Sequence, residues 1–170
     1  MSLPQLLQPN WLASGTLAEL PLERLLAVPL RALVLDVDRT LLPRRHAELP
    51  APVETWLRRA QEHLELRLLS NNPSRARIGA VAEQLGVPFT TSAGKPRRSA
   101  LRRVLADLGL PHDQVALVGD RLFTDVLAGN RLGLFTVLVK PVNRVGQPCE
   151  RDRLQNIELR LARWVGTELG

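Results

Sequence analysis

The run Ala32-Leu33-Val34-Leu35 is unbroken in its apolar character and ends in Asp36-Val37-Asp38. A strand that is apolar at every position has both faces buried, as in the middle of a parallel sheet. Parallel neighbours need helical crossovers, so this one stretch already argues for an α/β chain. Carboxylates at the C-terminal end of such a strand lie where open α/β sheets hold their ligands. Two acids this close repel, and a cation or a shared proton is expected to compensate. Mg2+ suits, because it takes hard oxygen ligands. The plainer alternative is a strand followed by an acidic turn, since Asp-x-Asp is a common pattern.

Four further apolar runs repeat the theme. Leu64 to Leu69 ends in Ser70-Asn71-Asn72-Pro73, where small polar groups before a helix over about Ser74 to Leu85 suit an anion or simple capping by Asn72 or Ser74. Val87 to Thr91 is short and leads to Ala93-Gly94-Lys95-Pro96, just ahead of a helix over about Arg97 to Leu108. In this setting Lys95 can supply positive charge to a phosphate. Val115 to Val118 ends in Gly119-Asp120-Arg121-Leu122-Phe123-Thr124-Asp125, with a helix expected over about Leu122 to Leu132. Gly119 allows close backbone approach. Asp120 and Asp125 can converge across a strand-to-helix turn, although Asp125 could also simply favour the first turn of the helix. Leu134 to Val139 completes a five-stranded parallel sheet of Rossmann-like, three-layer type, with right-handed crossovers.

The remaining segments read as support. Pro52 opens a helix to about His63 that carries Val53, Trp56, Leu57 and Ala60 on one face. A last helix, about Glu150 to Val165, places Leu154, Ile157, Leu161 and Trp164 on one face, expected to cover the sheet edge, with Arg153, Arg160 and Arg163 around it. Residues 1–30 form a leucine-rich extension with a short helix from Pro21 to about Ala27, packing on the core or on a membrane surface. Trp11 there reads as a core plug, the alternative being an interface anchor. His46 and His63 have no spacing that suggests a metal.

The 170 residues are expected to form one domain. No apolar run is long enough to span a bilayer, and no signal-peptide pattern opens the chain, so a cytoplasmic protein is expected. The single cysteine, Cys149, excludes an internal disulfide and a cysteine-based zinc cluster. A net charge of +6, with a pI near 11.1, favours anionic partners: phosphorylated ligands or an anionic membrane surface bound peripherally. Aromatic content of 4% leaves little for base stacking, so nucleic acid is disfavoured.

With these stretches placed, the chain resembles the haloacid dehalogenase-like (HAD) phosphatases. Their first motif is matched by Asp36-Val37-Asp38-Arg39-Thr40, the second by Ser70, the third by Lys95 and the fourth by Gly119-Asp120 through Asp125. The stretches Leu68-Leu69-Ser70-Asn71-Asn72-Pro73, Gly94-Lys95-Pro96 and Gly119 to Gly133 are similar to the YqeG-like branch of subclass IIIA, which includes phosphatidylglycerophosphate phosphatases. Arg39 stands where that branch usually has Asn.

The resemblance implies an Mg2+-dependent phosphomonoester hydrolase acting through an aspartyl-phosphate. Asp36 would be the nucleophile and a metal ligand. Asp38 would be the general acid and base, its backbone carbonyl also binding the metal, and Asp120 the third ligand. Ser70, the Asn71 amide and Lys95 would bind the phosphate, with Thr40, Gly119 and Asp125 in support. The implied substrate is phosphatidylglycerol phosphate; the alternatives are a soluble sugar phosphate or nucleotide, or a non-catalytic binding module. Leu41 to Pro52 is too short for a cap domain, so an open site is expected.

Overall fold

The computed structural model describes all residues from Met1 to Gly170. Six parallel strands form one sheet: β1 (Trp11–Leu12), β2 (Ala32–Leu35), β3 (Glu65–Leu69), β4 (Phe89–Thr90), β5 (Val115–Gly119) and β6 (Phe135–Leu138). Their order across the sheet is β1-β6-β5-β2-β3-β4. All four residues of β2 are fully buried, as its composition requires at the centre of the sheet. Leu33 and Leu35 face one apolar core, while Ala32 and Val34 face a second on the other side. After a short α1 (Leu3–Leu6), the first core lies beneath α2 (Leu22–Leu26), α3 (Ala51–Gln61) and α4 (Arg75–Leu85), and the second beneath α5 (Ser99–Leu108).

Register brings the strand ends together. Leu35 pairs with Leu68 on one side and with Val118 on the other. The residues that follow β2, β3 and β5 therefore emerge side by side. The chain fills β3 and β4 on one flank of β2, then crosses to β5 on the other. This reversal opens a crevice at the C-terminal edge of the sheet.

Three sequence expectations need correction. The sheet has six strands, not five: Trp11 and Leu12 pair with Val137 and Leu138, an edge strand too short to show alternation. The N-terminal segment is thereby part of the core. Leu7, Leu17 and Leu25 are fully buried, and Trp11 lies inside with the Arg24 guanidinium 4.2 Å from its ring centre. Second, the expected helix after β5 is a π turn, Leu122–Val126, running into a short α6, Leu127–Asn130.

The third concerns α7 (Arg153–Trp164), whose apolar stripe faces solvent. Its buried residues are Gln155, Glu158 and Ala162. The reason lies in the loops beneath. Gln155 Nε2 donates to the carbonyls of Asp120 and Val139, both at 2.8 Å. The Glu158 carboxylate accepts from the Leu122 N–H at 2.8 Å and pairs with Arg121 at 2.7 Å. Buried backbone groups without partners are costly, and satisfying them sets the rotation of the helix. The segment between β2 and α3 forms turns and no cap domain, and no helix is long and apolar enough to cross a membrane.

Candidate active site

Asp36 follows β2 directly, its N–H bonded to the Val118 carbonyl at 3.0 Å, so the sheet itself holds the residue. One carboxylate oxygen accepts from Lys95 Nζ at 2.8 Å and the other from Thr40 Oγ1 at 3.0 Å. The same ammonium reaches Asp125 Oδ1 at 2.7 Å and the Leu69 carbonyl at 2.9 Å. Lys95 is thus a buried cation between two acids. Burial alone would lower its pKa, but Asp125 and Asp36 outweigh that and raise it, so the ammonium stays protonated.

The placement of Lys95 is set by Asn71. The side-chain amide of Asn71 grips the lysine backbone from both ends, accepting from its N–H at 2.8 Å and donating to its C=O at 3.0 Å. Ser70 is buried beside it, with Oγ accepting the Asn72 N–H at 3.1 Å.

The π turn returns Asp125 toward β5, where its Oδ2 accepts the Arg121 N–H at 3.1 Å. This packing leaves no room for a side chain at Gly119: a Cβ there would lie 2.2 Å from Asp125 Oδ2. Ligand oxygens of Asp36, Asp120 and Asp125 lie within 4.8 Å of one another. Burial first, and then the charges of Asp36 and Asp125, push the Asp120 carboxyl up to about 8. The Asp125 carboxyl is pushed up to about 6 by burial and by Asp36, with Lys95 opposing. Asp120 Oδ2 has no hydrogen bond and meets only Arg39 Nε at 3.4 Å. Three buried carboxylates, one with an oxygen lacking a hydrogen bond, form a hard donor set that fits Mg2+.

Asp38 stands apart. Its carboxylate accepts from Asn72 Nδ2 at 3.1 Å and pairs with Arg77 Nη1 at 2.7 Å. Its side chain is not in the acidic cluster, where Asp125 joins Asp36 and Asp120 instead. Arg39 sits at a left-handed φ of 68° and spans Asp120 and, at 2.6 Å, Asp152 ahead of α7. Sequence reasoning overlooked the site contacts of Arg77, Asp152 and Gln155. Arg77 lies one turn into α4, close behind the Ser70 stretch, so that spacing was an available signal; Asp152 and Gln155 come from a distant helix and gave none. Ser74 does cap α4, accepting the Arg77 N–H at 3.3 Å, and so uses one of the amides expected to face an anion.

The cleft over these groups has a volume of about 370 Å3. Its lining contains no hydrophobic residue and includes Arg44, Arg45, Arg77 and Arg121. It is suited to a polar, anionic group.

A parallel sheet with acids at the ends of its two central strands, and a buried lysine between them, is the architecture of the haloacid dehalogenase-like hydrolases. The HAD-hydrolase-like family model matches residues 92–143. The chain is 34% identical over 121 residues to the probable phosphatase YqeG of Bacillus subtilis, covering 71% of this chain and 70% of that one. It is 30% identical over 164 residues to the chloroplastic phosphatidylglycerophosphate phosphatase 1 of Chlamydomonas reinhardtii. That alignment covers 91% of this chain but only 61% of the algal protein's length. A Listeria monocytogenes protein of solved structure shares the fold, with a TM-score of 0.55 at 19% identity over 74% of this chain and 85% of that one. The chain belongs to the HAD-like phosphatases, alongside YqeG.

Proposed function

We propose that this phosphatase releases the terminal phosphate of phosphatidylglycerol phosphate, with Mg2+ as cofactor and Asp36 as nucleophile. The observation that carries the mechanism is the setting of Asp36: a carboxylate fixed by the sheet in the lining of a polar cleft, braced by Lys95 and Thr40. The substrate assignment rests on likeness to the algal enzyme and on a cleft suited to a polar headgroup.

Asp36, the Asp38 backbone carbonyl and Asp120 would hold the metal, with Asp125 in support. When bound, it compensates charge on the acids and on the phosphoryl oxygens. Ser70, the Asn71 N–H and Lys95 bind those oxygens. An Asp36 oxygen attacks phosphorus as the bond to the leaving alcohol breaks, and Asp38 delivers the proton that the alcohol needs. Water then attacks phosphorus of the aspartyl-phosphate, giving a proton to Asp38, as the P–O bond to Asp36 breaks; inorganic phosphate leaves and the Asp36 carboxylate is restored. Most of the rate comes from positioning and charge compensation. Asn72 and Arg77 fix the Asp38 carboxylate in the lining of the cleft. The 170 residues act as one catalytic domain.

The test is phosphate release from phosphatidylglycerol phosphate in mixed micelles, with Mg2+ and with chelator, beside soluble phosphomonoesters. Metal-dependent release well above the soluble panel is expected. Preference for a soluble ester would overturn the substrate, and inactivity of folded protein on every ester would overturn the mechanism.

A further inference from the structure

Helix α7 buries Gln155, Glu158 and Ala162 and leaves an apolar stripe exposed. Ile157 is 52% exposed, Leu161 48% and Trp164 85%. Leu154 begins the same stripe, which is roughly 15 Å long at the rise of an α-helix. The N-terminal segment docks at the far end of the helix, where Thr167, just past α7, donates through Oγ1 to the Pro4 carbonyl at 3.3 Å. Arg153 and Arg160 lie beside the stripe, and Arg163 follows round the helix; all three are exposed. The other end of α7 is at the active site, through Asp152 to Arg39 and Gln155 to the Asp120 carbonyl.

We propose that this stripe is the surface on which the protein sits on an anionic lipid bilayer, a reading that rests on the lipid substrate proposed above. An apolar face ending in tryptophan and bordered by arginines is the pattern of a helix lying in the headgroup region. Charge complementarity selects the occupant, because anionic headgroups attract the flanking arginines. A second copy of the chain is the poorer fit, because each copy carries a net charge of +6. The cleft supports the same conclusion. Its lining offers no hydrophobic residue, so the acyl chains of a lipid substrate remain in the bilayer while the headgroup enters.

Tryptophan emission provides the test. Trp11 and Trp56 are 7% and 4% exposed, so a change on vesicle binding reports Trp164. The full chain is mixed with vesicles of phosphatidylcholine alone, or of phosphatidylcholine with phosphatidylglycerol, then sedimented. A blue shift and co-sedimentation are expected only with the anionic vesicles, weakening as salt rises. Ile157→Ser with Leu161→Ser keeps the reporter and should weaken binding at least tenfold, leaving hydrolysis of a soluble ester unchanged. Arg160→Gln with Arg163→Gln should remove most of the salt dependence. Absence of vesicle binding, undiminished binding by the serine variant, or a wild-type dimer that the serine variant dissociates would each overturn the proposal. Lipid hydrolysis without vesicle binding would refute this surface and leave the substrate standing; vesicle binding without lipid preference would do the reverse.

Discussion

Asp120 makes the acidic cluster measurable without turnover. Its carboxyl is pushed up to about 8 from an ordinary 3.8, chiefly by burial and by the charges of Asp36 and Asp125. A carboxyl raised on folding binds more proton in the native state than in the unfolded state between those two values. Stability in chelator therefore falls as pH rises through that window. Asp125, raised to about 6, exerts most of its effect below pH 6, so the interval from pH 6 to 8 belongs mainly to Asp120. One proton corresponds to about 1.4 kcal/mol per pH unit, and the slope halves near pH 8, giving a loss of about 2 kcal/mol. For a domain of this size that is a fall in Tm of roughly 4–8 °C. Asp120→Asn should remove this slope and melt higher than the wild type at pH 8 in chelator. Mg2+ takes the place of the proton, so it should stabilise the wild type more at pH 8 than at pH 6. Calorimetry at several pH values, with chelator and with Mg2+, measures all of this. A wild-type Tm that is flat over the interval, or an equal slope in Asp120→Asn, would refute the account of the cluster.

Asp36→Asn should abolish phosphate release on every substrate while circular dichroism shows the fold intact; substantial activity in the folded variant would sink the nucleophile assignment. Gly119→Ala places a Cβ 2.2 Å from Asp125 Oδ2, so Asp125 must move and Lys95 loses a partner. A loss of about 1–3 kcal/mol in denaturant melts and roughly 100-fold in kcat is expected; wild-type values for both would contradict the packing. Arg39→Asn removes a guanidinium 3.4 Å from Asp120 and suits the left-handed backbone better. Mg2+ should then bind about 5-fold more tightly, as about 1 kcal/mol of competing charge is removed; unchanged Mg2+ activation curves would show that Arg39 does not compete.

The central part of this molecule was legible because its strands are buried on both faces. Leu33, Val118 and Leu68 could only be interior residues, and the polar residues after each strand had to share one edge. Spacing allowed Asp120 and Asp125 to converge, and the structure brings their ligand atoms together with that of Asp36. The misread parts share a cause. Helical periodicity in α7 identifies two faces but not which one turns inward, and here the unpaired carbonyls of Asp120 and Val139 decide it through Gln155. Trp11–Leu12 is too short for any pattern, and its partner lies more than a hundred residues away. The grip of Asn71 on the Lys95 backbone was hidden likewise, because the lysine sits in a separate loop.

That edge strand bears on how the molecule is made. Asn10 bonds to Thr136, and Asn130 donates to the carbonyls of Leu6 and Gln8, so the first dozen residues dock onto a late part of the chain. During synthesis residues 6–12 cannot dock until Leu138 has emerged from the ribosome. β2 and β3, adjacent in sequence and in space, can pair long before that. Assembly of this sheet therefore proceeds outward from its middle, and β1 is among the last strands to be installed.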